Sequence, residues 1–348
     1  MIKHISLTDF RNFTNKKFNF SKDITVIVGP NAAGKTNILE SLFLLSTGKS
    51  FKAKIEEEMI NYDSDIARVK GSLLSGLELE CVMTRGLIDI GAERPEKVAR
   101  KRLLVNGVGK RMIDFSGNFK TTLFGPWDMD LVTESPSIRR RFLDTVLSQI
   151  DREYRRCTLS YDKGLRQRNR LLWRIREEGL PRSQLLFWNQ LLIKNGDYIT
   201  QKRAEFIEFV NSQSMEQEDK SYKLEYDRSI ISEGRLEQYK DEEVASATTL
   251  VGPHRDDIIF FEGKRNLSSY GSRGEQRMGV LWIKMAELNF IEEKTSERPT
   301  LLLDDIFSEL DHNHREIVMK LAERQQTVIT TADEHFLEGL KAVGVLKL

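Results

Sequence analysis

The most constraining stretch of this chain is residues 24–47. An apolar run, Ile24-Thr-Val-Ile-Val28, leads into Gly29-Pro30-Asn31-Ala32-Ala33-Gly34-Lys35-Thr36-Asn37, and Ile38, Leu42 and Leu45 then recur at helical spacing to about Thr47. GxxxxGK[ST] between a buried strand and an amphipathic helix is the phosphate-cradling turn of nucleotide-binding α/β proteins. Glycines let backbone N–H groups curl around a phosphate where a side chain would collide. Lys35 supplies a point charge at the β/γ oxygens, and Thr36 offers a hydroxyl to Mg²⁺. The helix N-terminus adds about half a positive charge at the same spot. With strand, turn and helix in order, the chain is expected to bind a nucleoside triphosphate.

Two further segments fit that reading. Leu301-Leu302-Leu303-Asp304-Asp305 is an apolar strand running into two carboxylates. Beside such a turn, Asp304 is expected to hold the Mg²⁺ through water, and Asp305, on the other face of the strand, to orient or deprotonate an attacking water. The bland alternative is a helix-capping acid after a strand. Gly271-Ser272-Arg273-Gly274-Glu275-Gln276-Arg277 precedes a helix with Met278, Leu281, Met285 and Leu288 on one face. It places a hydroxyl and backbone amides at a second helix N-terminus, again suited to phosphate.

The chain has 348 residues, 39% of them hydrophobic, which suffices for two domains or one large α/β core with an insertion. No window approaches the ~18–20 apolar residues of a membrane span, and no secretory leader is evident. Cys81 and Cys157 form no CxxC pair. These features read as a cytoplasmic, membrane-free protein. The net charge is +1, but residues 139–176 hold twelve basic side chains against four acids, a local excess of +8. Arg139, Arg140, Arg141, Arg166, Arg168 and Arg170 are the candidates there for a phosphate backbone, with Phe142, Tyr154, Tyr161 and Trp173 among them. A solvated helical face with arginines paired to neighbouring acids is the competing reading.

Strand-like texture fills the chain to about residue 125, including a glycine-punctuated meander from Val69 to Val105 packed on the first sheet. After Pro136 glycine becomes rare, and charge-rich helical patterns run to about Tyr239, with breaks expected at Gly179-Leu-Pro181 and near Asn211–Lys220. Strand-and-turn texture returns at Thr249, and the last expected strand is Thr327–Thr330. The expected division is an α/β layer over residues 1–125, a helical module over 126–245 and a second α/β layer over 246–348.

The ordered loops resemble those of ABC-type ATPases, in which the Ser272 loop would be the signature loop. Ser308-Glu-Leu-Asp311 would then be the D-loop, and Thr331 would stand at the switch position. The 243 positions from Gly29 to Ser272 exceed a transporter subunit's gap and fall short of an SMC coiled coil. That profile resembles the RecF family over nearly the whole chain. Phe10-Arg11-Asn12, Gly48-Lys-Ser-Phe51, Ser135-Pro-Ser-Ile-Arg-Arg-Arg-Phe-Leu-Asp144, Gln167-Arg-Asn169 and Gly252-Pro-His-Arg-Asp256 carry the likeness. Trp127, Lys52 and Glu275 depart from it, standing where an acid, an arginine and a glutamine are usual.

The resemblance implies an ABC-type, SMC-like ATPase head with a P-loop core sheet and an antiparallel β lobe, interrupted by an inserted helical domain. It implies slow, DNA-dependent ATP hydrolysis and a homodimer closed around ATP and Mg²⁺. Arg11 and residues 29–37 would bind nucleotide, with Lys35, Asp304 and Asp305 catalytic and Thr36 and Asp304 on the metal. Ser272, Arg273, Gly274 and Glu275 would complete the partner's site. The dimer would clamp duplex, gapped or junction DNA and, with RecR and RecO, promote RecA loading at single-strand gaps in repair, replication and recombination. The alternatives are an ATPase subunit of an SMC-like nuclease complex or of a transporter. His254 and Asp256 could suggest catalysis, but no nucleophile or metal set accompanies them, which favours loop bracing.

Overall fold

The structure is a computed structural model that describes residues 1–88, 96–213, 221–308, 310, 312–333 and 343–348. Its contacts divide the chain into two compact units, residues 1–126 with 291–348, and residues 127–290. The expected return to the ATPase layer at residue 246 therefore differs from the division by contacts, which keeps 246–290 with the helical segment.

In the first unit, β1 (Ile2–Phe10), β2 (Phe13–Asn19), β4 (Ile66–Leu73), β5 (Glu78–Thr84), β8 (Lys101–Val105) and β9 (Val108–Lys110) form an antiparallel sheet in the order β2-β1-β4-β5-β8-β9. Because β4 pairs directly with β1, the glycine-punctuated meander extends the first sheet instead of packing on it. β6 (Leu87–Ile88) and β7 (Glu96–Lys97) make a small separate ribbon, and α2 (Met112–Phe115) is a single turn.

A second sheet is all parallel, in the order β10-β14-β15-β3-β16: β10 (Thr121–Phe124), β14 (Thr300–Asp304), β15 (Thr327–Thr331), β3 (Ile24–Val28) and β16 (Val343–Lys347). β16 pairs with β3 and lies beyond the last strand that the sequence reading contained. β3, β14 and β15 are buried at every residue, as parallel strands covered on both faces must be. α1 (Lys35–Thr47) coincides with the expected helix. It packs on both sheets, so Ile38, Leu39, Leu42, Leu44 and Leu45 are all fully buried around its circumference. α11 (His312–Ala322) connects β14 to β15.

The sheets are pinned together by Gln326, which is 1% exposed. Its Nε2 donates to the carbonyls of Ile2 (2.7 Å) and Ser21 (2.8 Å), while its Oε1 accepts from Ile2 N (2.7 Å) and Thr300 Oγ1 (3.1 Å). All four hydrogen-bonding positions of the amide are thereby used.

The second unit is built on α4 (Pro136–Ile150), α5 (Arg152–Glu178) and α6 (Leu186–Ser212), preceded by α3 (Asp130–Thr133). Asp151 caps α5 by accepting from the amides of Glu153 and Tyr154, and left-handed Gly179 (φ 68°) ends it. A Cβ at Gly164 would lie 2.6 Å from Leu191 Cδ2, so glycine there permits the close approach of α5 and α6. β11 (Tyr222–Asp227), β12 (Asp257–Glu262) and β13 (Arg265–Asn266) form an antiparallel sheet, with α7 (Glu233–Gln238), α8 (Lys240–Ser246) and α9 (Leu267–Tyr270) nearby in sequence. β11 corrects the expectation of helix as far as Tyr239: Tyr222, Leu224 and Tyr226 alternate with charged residues at period two. Pairing of β11 with β12 also explains why residues beyond 246 stay with this unit. α10 (Arg273–Thr295) follows, with its residues to Phe290 in the same unit.

Replacing Gln326 with Leu strands the Ile2 amide and carbonyl and the Thr300 hydroxyl in the core and removes the donor to the half-buried Ser21 carbonyl. Urea denaturation of Q326L is expected to show a loss of at least about 2 kcal/mol, since each orphaned buried group costs ~1–3 kcal/mol. Wild-type stability would rule out the pinning role.

Candidate functional site

At the carboxyl end of β3 the turn 29–34 wraps toward α1. Ala32 and Gly34 take left-handed φ values of 66° and 105°. A Cβ on Gly34 would lie 2.7 Å from the Asn12 side chain and Phe13 Cζ, and one on Gly29 would lie 3.1 Å from Leu348. Gly34 is thus required sterically, and a side chain at Gly29 would press on Leu348. Lys35 is 9% exposed, and its Nζ donates to the carbonyls of Gly29 (2.7 Å) and Pro30 (3.0 Å). Asn12 braces the turn: its Nδ2 donates to Ala33 O (3.0 Å), and its Oδ1 accepts from Asn37 (2.9 Å). Arg11, itself at φ 54°, forks onto buried Glu40 (2.8 and 2.6 Å) and also reaches Glu58 O, tying the β1–β2 turn to α1. Lys52 Nζ lies 3.4 Å from Asn37 Oδ1.

The register of the parallel sheet builds the other half of the site. Asp304, Thr330 and Ile27 lie in one row across β14, β15 and β3, with Thr331 opposite Val28. Thr36 Oγ1 donates to Asp304 Oδ1 (3.1 Å), and Thr330 Oγ1 donates to the same oxygen (2.6 Å). Asp305 lies beyond the end of β14 at a left-handed φ of 50°, with its backbone N–H on Thr330 O (3.2 Å) and Oγ1 (3.1 Å). Its position comes from that turn, not from strand alternation. Thr331 Oγ1 accepts from Asp333 N (3.1 Å) and is not in the Asp304 cluster. The residue that sequence reading missed is Thr330. Its signal was the register: only every other residue of β15 faces the same way. Three of the seven left-handed non-glycine residues among the described ones, Arg11, Ala32 and Asp305, lie around this site. Such strain is typically stored at functional positions.

The set fits a magnesium nucleotide. The turn admits no side chain at Gly34, one ammonium group stands inside it, and a hydroxyl and a carboxylate converge as hard oxygen donors. Among the described residues no group of three or more His, Cys, Asp or Glu side chains forms a metal cluster of its own.

The Ser272 segment forms a capping box in the second unit. Ser272 N donates to Glu275 Oε2 (2.7 Å), and Glu275 N donates to Ser272 Oγ (3.3 Å). The Ser272 amide, followed by Arg265 (2.9 Å), holds the Glu275 carboxyl down to about 2. A Cβ at Gly274 would meet only Ser272 Oγ at 4.0 Å. Ser308 closes a short helical turn after β14, and Asp311 of the expected D-loop lies outside the described residues.

The family model "RecF/RecN/SMC N terminal domain" matches residues 1–347. The chain belongs to this family. The DNA replication and repair protein RecF of Roseiflexus castenholzii is 34% identical over 94% of this chain and 92% of its own. A solved structure described as the recombination mediator protein RecF-ATPrS in the RecFOR pathway superposes with a TM-score of 0.88 at 30% identity, covering 100% of this chain and 96% of that one. A RecF-ATP structure gives a TM-score of 0.86 at 30% identity, over 98% and 93% of the two chains.

In this RecF-family chain the six arginines offered for DNA separate sharply. Arg168 is 2% exposed and bound to Glu243 (2.6 Å), Thr249 (2.8 Å) and Asn189 (2.8 Å), so it is a core strut and not a DNA contact. Arg139 forks onto Asp257 (2.6 and 2.9 Å), and Arg140 donates to Asp256 O (2.8 Å). Arg141, Arg166 and Arg170 are exposed. Asp256 is fully buried, gripped by Arg203 (3.0 Å) and Tyr226 (2.5 Å). His254 is a brace: its Nε2–H donates to Thr249 O (3.0 Å), and its Nδ1 accepts from Tyr161 (2.8 Å). Burial holds its pKa down to about 4. No helix among the described residues is long and apolar enough to cross a membrane.

Arg168→Met leaves Glu243 charged and unpaired, and denaturation is expected to show a loss of about 3–5 kcal/mol. Wild-type stability would refute the strut. For His254, the unfolded imidazole binds a proton near ~6.5 whereas the folded one resists until about 4. Its contribution is therefore complete above that unfolded value and is lost as pH falls toward the folded one, by at most ~3 kcal/mol. H254N should flatten the stability–pH curve in this window; an unchanged slope would exclude His254 as its source.

Proposed function

We propose that this chain is an ATP-dependent recombination mediator of DNA repair and replication. The observation that carries the reading is the convergence of Thr36 and Asp304 beside the Lys35 turn, in a chain whose relatives are RecF proteins. Lys35 and the amides of residues 29–36 bind the phosphates, and Thr36 and Asp304 hold Mg²⁺, with Thr330 fixing the Asp304 rotamer. Bound Mg²⁺ supplies charge neutralisation on the phosphate oxygens. Asp305, set by its left-handed turn, orients the water that attacks the γ-phosphorus. Arg11 acts from its seat on Glu40 and the Glu58 carbonyl, which leaves one N–H on each terminal nitrogen for nucleotide.

Two chains close around ATP, each presenting Ser272, Arg273, Gly274 and Glu275 to the other's nucleotide, with the Ser308–Asp311 loop at the same interface. The closed homodimer binds duplex or gapped DNA and acts with RecR and RecO to load RecA. Hydrolysis is slow because each complete site exists only in the dimer, and it resets the clamp.

K35A is expected to weaken fluorescent-ATP binding at least about tenfold. D304N should retain nucleotide while phosphate release slows by ~10²-fold or more. S272R should bind ATP yet elute as a monomer on size exclusion with ATP·Mg²⁺; an S272R dimer would sink the assignment of that loop.

A further inference from the structure

α5 carries a row of side chains that its own unit leaves unused. Lys163, Arg166, Arg170 and Trp173 follow one another at steps of three and four. At 100° per residue they fall within an arc of ~80° on one helix face. All four are exposed, Trp173 at 47%. Among the described residues none of the three cations makes an ion pair or hydrogen bond, in contrast to their neighbours in the same basic segment. Arg156 is held by Glu153, Arg168 by Glu243, Arg174 by Glu178 and Arg176 by Glu177. Several cations of the +8 segment are therefore engaged within the chain, and this row makes none of those contacts.

Trp173 stands on rigid support. Its neighbours Leu172 and Ile175 are buried in a cluster with Leu185, which fixes the helix beneath the indole. The next residue on this face, Glu177, is engaged by Arg176 and bounds the row. From Lys163 to Trp173 is about 15 Å along the helix, which matches about four steps along the axis of one strand of a duplex. Cations spaced along one line and ending at an exposed aromatic ring are the combination that binds unpaired nucleic acid. The cations track phosphates, and the ring stacks on a base. A duplex interior presents no free base face, so the ring engages only where pairing stops.

We propose that this face of α5 reads the boundary between duplex and single strand. Lys163, Arg166 and Arg170 hold successive phosphates of one strand, and Trp173 stacks on the first unpaired base. This rests on the DNA-binding reading above and adds to it the contact that selects gapped over intact duplex DNA.

The test uses the full chain with ATP·Mg²⁺ and fluorescence anisotropy on a labelled duplex and on the same duplex carrying a gap. W173A and W173L are expected to lose about tenfold affinity for gapped DNA while binding the duplex within about twofold of wild type, with W173F retaining both. A double R166E/R170E variant should lose affinity for both DNAs and show a shallower salt dependence. A 2-aminopurine placed at the first unpaired position should be quenched by the wild-type chain and not by W173L. Because W173L keeps an apolar side chain, its loss separates stacking from simple apolar contact. Equal losses on gapped and intact duplex, or no loss at all, would overturn the proposal while leaving DNA binding itself standing. A wild-type chain that binds neither DNA with ATP would remove the underlying reading instead.

Discussion

One hydrogen bond, from the Thr36 hydroxyl to the Asp304 carboxylate, joins positions 268 residues apart. It exists only if β3 and β14 lie in the same parallel sheet, one strand removed, with the row Asp304–Thr330–Ile27 in register. A slip of one residue on β15 would turn Thr330 away from Asp304 and bring the wrong side chain to the site. The register in turn is held by full burial of all three strands and by α1 covering their face. The chemistry of the turn is thus a consequence of how the sheet is stacked, and not of the turn residues alone.

The two carboxylates at the end of β14 illustrate how position divides labour. Asp304 is buried and receives two hydroxyl donors on one oxygen, which fixes it. Asp305 is displaced by a left-handed backbone that a non-glycine residue adopts only when its surroundings impose it. Here the imposing contacts are the carbonyl and hydroxyl of Thr330, so a single threonine positions both acids.

Much of this was legible in the sequence. The span of α1, the α/β class and the meeting of Lys35, Thr36 and Asp304 follow from motif chemistry and short-range periodicity. What escaped were features that depend on partners distant in the chain. β16 reads as an unremarkable Val-Gly-Val-Leu-Lys until β3 is there to pair with it. β11 alternates at period two but lies within charge-rich helical text. Arg168 and Arg166 look alike as letters of one basic stripe. Only the helix phase, which turns Arg168 toward Glu243 and leaves Arg166 in solvent, tells a strut from a surface cation. Thr330 went unnamed because its place beside Asp304 exists only once β14 and β15 are paired.

The strand order also has a temporal meaning. β3 is flanked by β15 and β16, both drawn from the end of the chain, and Gln326 locks Ile2 into the same junction. Synthesis at ~5–20 residues per second leaves the first turn waiting tens of seconds for those strands. The residues of the second unit are contiguous and emerge complete in between. On the ribosome, the residues of the helical unit are all present before the nucleotide site has its sheet. A truncated product would carry the whole basic helix and no working phosphate cradle.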